Sequence, residues 1–459
     1  MKKLEKFINT KLYIPCATIV VFMFWLFCFL SKNEIINIDI INKLENIEFV
    51  ILGLIFCFLL SMYNNSFYII PFLVLIPFVF ARPFDAYTTP ICIYIGLSLF
   101  ILGIILNFII YKPKMKVGSF FIGLSVLGVA VILGGLLTKA SYLKAQIMFS
   151  ILCFLGLLVT YTFLSSTSSA DFNEIARVFT YLGIFLLMQI ITFYAIQENI
   201  IDSLLTKTMN VGWGSTNNIG LMLLMTIPFT IYLAISKKTW ETILYLFLAT
   251  LQVIALVLTY SRGSIASMII GLIIYLPICL FHAKDKLTLI CTFNILCLLV
   301  FFLISYISKY YPDYYSRFYE YVFKIDLDSI NGRVPIYEKI MEIYKEHPIF
   351  GYGMFAPFAQ NESEVITTYE WGHSTLLHTL YTMGFVGVGC LFYHLFEKYF
   401  RLLKKPNIKK TTILFSLAMS GLYGLFDVSY YFICYMVVLI ILLAIVENET
   451  KGVSLGGNI

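Results

Sequence analysis

Residues 287–308 read LTLICTFNILCLLVFFLISYIS, an apolar run with no Asp, Glu, Lys or Arg in it. Its length is close to the roughly 20 residues that cross a 30 Å hydrocarbon layer as a helix. Leu12–Ser31 and Pro90–Tyr111 repeat the pattern, and the chain as a whole is 60% hydrophobic and only 13% charged. Inside lipid each backbone N–H and C=O must find its partner within the segment, and these runs lack the alternation of a barrel strand, so they are helices. The fold class is therefore all-α, a polytopic transmembrane bundle, and a water-soluble fold is excluded.

Working outward gives candidate spans near 12–31, 47–62, 66–81, 89–111, 117–137, 142–164, 175–197, 217–235, 240–259, 263–281, 287–308, 374–396, 411–427 and 429–446, that is about 12–14 crossings. Asp427 alone separates the last two. The first run follows Met-Lys-Lys but is long and lacks a small-residue cleavage site, so it reads as a retained span rather than a secretory signal. With the N-terminus inside, the inner segments collect Lys2, Lys3, Lys6, Lys11, Lys112, Lys114, Lys116, Arg177, Lys237, Lys238, Lys284, Lys286 and the Lys398–Lys410 cluster. The short outer loops hold far fewer basic residues, which sets the orientation with both termini in the cytoplasm.

Four segments follow: transmembrane helices over 1–213, transmembrane helices carrying Thr259-Tyr260-Ser261-Arg262-Gly263 over 214–308, a large extracytoplasmic loop with short helices over 309–373, and transmembrane helices with a cytoplasmic tail over 374–459. In the loop, Ile336, Ile340, Ile343 and Tyr344 fall at helical spacing after Pro335, and His347-Pro348 stops the run. The spacing predicts an amphipathic helix lying against the membrane or the bundle.

The formal charge of +6 is sorted to one side of the membrane rather than gathered into a patch, so no nucleic acid is expected; the lipid bilayer is the evident partner. The ten cysteines lie in or at the edge of apolar runs without ligand spacing, so they read as packing residues, and neither metal nor cofactor is expected. The main polar intrusions in the spans are Gln189, Gln252, Asn294, His378 and His394. Ion-coupled transport and lipid-linked sugar flipping need a polar path through the bundle, which such spans do not offer.

Chemistry is therefore sought at the outer surface. Arg262 follows Ser261, a candidate cap, between two spans; Arg333 opens the loop helix; His373 lies where the chain re-enters the membrane. All three are predicted at helix N-termini, where free N–H groups and the dipole favour an anion. Two guanidiniums there suit a diphosphate, and an imidazole beside them suits proton abstraction from a hydroxyl. Taken singly, Arg262 reads as a snorkelling anchor, Arg333 as a partner of Glu338, and His373 as an interfacial residue. Asp326-Leu327-Asp328 has the form of a metal-binding pair but equally of a cap, and Tyr310–Tyr321 reads as an interfacial aromatic belt or a sugar platform.

Taken together, several segments carry one resemblance. They are Gly214-Ser215-Thr216-Asn217-Asn218, Leu258-Thr259-Tyr260-Ser261-Arg262-Gly263, Asn331-Gly332-Arg333 with Tyr337, His347-Pro348-Ile349-Phe350-Gly351-Tyr352-Gly353, His373-Ser374 and Met383-Gly384-Phe385-Val386-Gly387. In this order and spacing, over about 214–396, the chain resembles the O-antigen ligase and polymerase superfamily of bacterial envelope glycosyltransferases. It departs in two places: Ser374 stands where many members have Asn, and Asn217 where Pro is common.

The resemblance implies a helical bundle of the bacterial plasma membrane whose outer loop covers a site facing outside. It implies transfer of a glycan from an undecaprenyl-diphosphate carrier to a glycan acceptor, metal-independent in the ligases, with a chain-length regulator and a flippase as expected protein partners. Carried over by residue, Arg262 and Arg333 would hold the donor diphosphate, His373 would activate the acceptor hydroxyl, and Asn218, Tyr260 and Tyr337 would join the substrate-binding set. The expected function is polymerisation of lipid-linked repeat units into O-antigen or capsular polysaccharide. The alternatives are a ligase, which moves a finished glycan to lipid A core or protein, and a lipid-linked oligosaccharide flippase, which forms no glycosidic bond.

Overall fold

The computed structural model describes residues 7–8, 10–33, 47–79, 91–137, 146–147, 149–169, 171–323, 333–354 and 372–452. Among them the regular elements are helices, with one isolated bridge between Asn210 and Ser215. In chain order, α1 is Tyr13–Lys32 and α2 is Ile47–Met62. Where a single span over 66–81 is expected, the chain instead forms a 3₁₀ turn Ser66–Ile69, a short α3 Ile70–Leu75 and a second 3₁₀ turn Ile76–Phe78. Pro71 and Pro77 cause the departure, because each removes a helix donor and starts a new turn.

Further along, α4 is Ile91–Tyr111 and α5 is Phe121–Leu136. A π-helical stretch Ser150–Gly156 leads into α6, Leu157–Thr167. Then come α7 Phe172–Ala195, the short α8 Ile200–Leu204, α9 Thr216–Ser236, α10 Trp240–Leu258, α11 Arg262–His282 and α12 Lys286–Tyr310. The loop contributes α13 Pro312–Phe323 and α14 Val334–Glu346. The chain ends in α15 Thr375–Leu403, α16 Ile408–Tyr423 and α17 Ile433–Gly452, with Asp427 in the turn between the last two, as expected.

Eight of these helices are long and apolar enough to cross a membrane, and most of the remaining expected spans are shorter apolar helices. This is an all-α polytopic membrane bundle. The segments Asp326-Leu327-Asp328 and Asn331-Gly332, read above from the sequence, lie outside the described residues.

The chain forms two compact units. One holds residues 172–332 and 402–429. Its centre is α9, which packs on α7, α10 and α16 and is 94% buried along its apolar window, whereas α12 at the periphery is only 17% buried and leaves its apolar face for lipid. The polar intrusions of this unit are satisfied internally. Gln252 Oε1 accepts from Thr230 Oγ1 at 3.1 Å, Gln189 Oε1 accepts from Trp213 Nε1 at 2.9 Å, and Asn294 donates to Ile290 O on its own helix at 2.9 Å. At the end opposite Arg262, Asp285 caps α12 by accepting from Thr288 N and also takes the Thr239 N–H; its hydrogen bonds to Thr288, then that to Thr239, hold its carboxyl below the usual range.

The other unit holds residues 1–171, 333–401 and 430–459. Here α15 and α17 run past the expected span ends and carry Glu397, Lys398 and Glu447 into buried positions. Two of these groups solve one problem, the exposed donors at the start of α5. Ser119 N donates to Glu447 Oε1, Phe120 N to Tyr161 Oη at 3.0 Å, and Gly123 N to Glu397 Oε2 at 2.9 Å. Tyr161 in turn donates to Glu447 at 3.1 Å, and Arg401 Nη2 pairs with Glu397 Oε1 at 3.1 Å. Lys398 Nζ donates to Tyr430 Oη and lies 4.5 Å from the Tyr399 ring centre. His394 is buried with its ring 5.7 Å from that of Tyr430.

Two carboxylates at a helix N-terminus are favoured by its dipole as well as by the donors. Replacing Glu447 with Ala strands the Ser119 and Tyr161 donors, at about 1–3 kcal/mol for each left unpaired. The expected result is a lower melting temperature of the detergent-solubilised protein, with Glu447→Gln, which keeps an acceptor oxygen, losing less.

Candidate functional site

Arg262 is the first residue of α11, as predicted, and is half-buried. The turn before it is tight because Tyr260 adopts φ +52 in the left-handed region. Tyr260 is buried and its hydroxyl donates to Leu204 O, so this expected substrate-binding side chain also ties the turn to the end of α8. Ser261 takes the N-cap position with extended backbone, but its hydroxyl pairs with Ser264 Oγ at 2.9 Å rather than with a backbone N–H. The Ser261 side chain thus makes no cap hydrogen bond to the first turn of α11.

The first turn of α9 stands beside it, since a Cβ on Gly220 would lie 3.1 Å from Thr259 Oγ1 and against Ser264. Two helix N-termini are therefore adjacent at the end of this unit that carries Arg262, where their dipoles favour an anion. Asn218, half-buried in that first turn of α9, sits over Gly214. Asn217, one of the two departures noted above, has a partner that sequence reasoning missed: its Nδ2 donates to Asp427 Oδ2 at 2.7 Å. Asp427 Oδ1 accepts from Val428 N at 2.8 Å, and neighbouring Phe426 packs on Gly263. In the sequence Asp427 is a lone carboxylate in an apolar stretch, which marks a boundary but not its partner.

In the other unit, Arg333 takes the N-cap position of α14, half-buried, with Pro335 in the first turn. The apolar stripe of α14 faces the bundle: Ile340 and Ile343 pack with Tyr381 of α15, joined by Ile336, Tyr337, Tyr352 and Leu377. This settles the choice left open by periodicity. His347 ends the helix, as expected.

The segment after His347 enters a break in α15. Gly384 has φ +64 and ψ −162, which interrupts the helix and releases backbone groups on both sides of it. Tyr352 N donates to Tyr381 O at 2.7 Å and Gly353 N to Thr382 O at 3.1 Å, while Phe385 N donates to Pro348 O at 2.9 Å and Val386 N to Ile349 O at 3.1 Å. Backbone groups in a membrane protein need such partners, and the loop supplies them. The His347–Gly353 and Met383–Gly387 motifs are thus two halves of one joint.

His373 lies two residues before α15, with φ +44. For a residue with a Cβ that conformation costs of order 1–3 kcal/mol and persists only where the surroundings impose it. Here Tyr337 Oη donates to His373 O at 3.3 Å, and Gly372 N donates to His378 Nδ1 at 3.3 Å. The structure therefore brings Tyr337 to His373, with Arg333 one helical turn before Tyr337. Arg262, Tyr260 and Asn218 belong to the first-described unit.

Two comparisons bear on this arrangement. Residues 244–392 match the family model described as O-antigen ligase, a stretch that contains Arg262, Arg333 and His373. No curated protein matches the chain.

Proposed function

From the similarity of residues 244–392 to the O-antigen ligase family, we propose that the chain is a glycosyltransferase of the bacterial plasma membrane. It polymerises undecaprenyl-diphosphate-linked repeat units into O-antigen or capsular polysaccharide on the outer face. The observation that carries this reading is the strained, side-chain-pinned turn at His373 beside the helix that begins at Arg333.

By the resemblance, Arg262 and Arg333 are each assigned to the donor diphosphate; Asn218 and Tyr260 go with Arg262, at the N-terminal ends of α9 and α11, whose dipoles favour an anion. Each charge-assisted hydrogen bond contributes roughly 1.5–3 kcal/mol. An acceptor sugar hydroxyl attacks the anomeric carbon of the donor, a new C–O bond forms, and the bond to the diphosphate breaks with both electrons leaving on undecaprenyl diphosphate. His373 takes the hydroxyl proton. Because the leaving diphosphate gains negative charge in the transition state, guanidinium contacts to it act on the rate as well as on binding.

Arg333→Lys keeps the charge but loses the planar fork. The expected effect is roughly a tenfold fall in kcat/KM for the lipid-linked donor, corresponding to one lost charge-assisted bond. Near-normal donor use by that variant would count against the diphosphate seat.

Reconstitution of the purified protein with undecaprenyl-diphosphate-linked repeat units tests the reading directly, since a new glycosidic bond is expected and a flippase forms none. The second reading is the ligase, favoured by the description of the matching family. Glycan analysis of a deletion strain separates the two. Single repeat units still attached to the final acceptor indicate a polymerase, whereas loss of all attached glycan indicates a ligase.

A further inference from the structure

His378 is a fully buried imidazole inside α15, five residues beyond His373. From the sequence it is only a polar intrusion, and a buried histidine of this kind is ordinarily a core residue. Its surroundings give it a more particular task. Its Nδ1 accepts the Gly372 N–H at 3.3 Å, so the ring must be neutral at that nitrogen. Its own backbone N donates to Ser374 O at 2.8 Å, which fixes the ring's base to the same turn. Tyr381 and Tyr431 flank the ring, with centroids 5.3 and 5.4 Å away, so it has little freedom to swing out.

Gly372 is held between two elements. A Cβ there would sit 3.0 Å from Ile340 Cδ1 on the loop helix and 3.2 Å from the His378 backbone N. His373 is then pinned on both sides. The N–H of the residue before it is held by His378 from α15, and its own carbonyl by Tyr337 from α14. The left-handed φ of +44 at His373 therefore lies between two fixed points, one a residue upstream and one at its own carbonyl, which oppose its relaxation. Functional side chains are held to within fractions of an ångström by such supports.

We propose that His378 is a positioning residue for His373, acting through the Gly372 N–H, with Tyr337 as the opposing half of the same clamp. This rests on the reading of His373 as the group that takes the acceptor proton. His378 itself touches neither donor nor acceptor.

The test uses the full-length protein in proteoliposomes with undecaprenyl-diphosphate-linked repeat units, measuring kcat and donor KM for His378→Phe and His378→Gln. Phenylalanine fills the space without an acceptor, whereas the glutamine amide can still accept from Gly372. His378→Phe should lower kcat roughly 10- to 100-fold, the scale of a misplaced catalytic group, while donor KM stays within about twofold. His378→Gln should recover most of that loss. Equal losses in both variants would mean packing alone and overturn the proposal, as would a wild-type kcat in His378→Phe.

Should His378→Phe fail to insert, Tyr337→Phe carries the test from the loop side. A several-fold lower kcat at unchanged donor KM supports the clamp, whereas a wild-type kcat or a loss confined to donor KM overturns it. His373→Ala separates the two levels: its retention of activity defeats the underlying reading, whereas an inactive His373→Ala beside a fully active His378→Phe defeats only the clamp.

Discussion

Replacing His373 by alanine should lower the rate of glycan transfer by about 10²–10⁴, the usual contribution of a positioned general base, while the protein remains inserted at normal levels. The expectation of normal insertion comes from where the side chain sits. His373 is half-buried in a turn outside α15, and the contacts that fix the turn are made by its backbone carbonyl and by Gly372, so truncation leaves them in place. Alanine retains the steric cost of φ +44, which makes His373→Asn a useful companion, since asparagine tolerates the left-handed region better. Both variants remove the imidazole and differ in backbone comfort. A shared loss of transfer, measured as product chain formation per inserted molecule, assigns the effect to the imidazole. Undiminished transfer by His373→Ala would end the catalytic role given to it here.

Gly384→Ala is expected to be the most damaging single change to the fold among those considered. The conformation φ +64, ψ −162 is essentially restricted to glycine. A Cβ there would overlap Ile349 O and the Gly351 nitrogen, and Gly351, at φ +75, faces the same obstruction from the other side, where a Cβ would overlap Met383 N and Thr382 C. Accommodating the methyl group means withdrawing His347–Gly353, which breaks four backbone hydrogen bonds worth about 0.5–1.5 kcal/mol each and strands their donors and acceptors. The expected loss is therefore several kcal/mol, enough to undock α14 or to prevent accumulation of folded protein. Limited proteolysis within 334–353 reads the first outcome and the yield of folded protein the second. Because the two glycines meet at one contact, Gly351→Ala combined with Gly384→Ala should cost much less than the sum of the single changes. Strict additivity would show that the joint is not one unit.

What the sequence disclosed follows from which forces act locally. The spans were readable because twenty apolar residues admit few fates, and the loop helix because its apolar spacing, Pro335 and His347-Pro348 are consecutive in the chain. The break at Ser66–Phe78 was less visible, since hydropathy is blind to the missing donors of Pro71 and Pro77. Helix ends were underestimated where Glu397, Lys398 and Glu447 follow the apolar run. A hydropathy window rejects charges whose partners, Gly123, Tyr430 and Ser119, are far away in sequence.

The candidate site is visible in the sequence as residue types but not as geometry. That Gly384 breaks a helix depends on Pro348, Ile349, Tyr352 and Gly353 arriving to take its released groups, and no local pattern announces that meeting. Likewise Asp427 could be seen as a lone acid, but its hold on Asn217 spans more than two hundred residues.

The caps on α5 bear on how the chain is made. Ser119 and Gly123 are synthesised early, whereas their acceptors Glu447 and Glu397 emerge 328 and 274 residues later. At about 5–20 residues per second, the ribosome leaves that helix end without its final partners for roughly 15–65 s. During this interval water, lipid headgroups or the insertion machinery must serve instead, so a nascent chain truncated ahead of Glu397 should remain bound to the translocon, or be degraded, rather than settle in the bilayer.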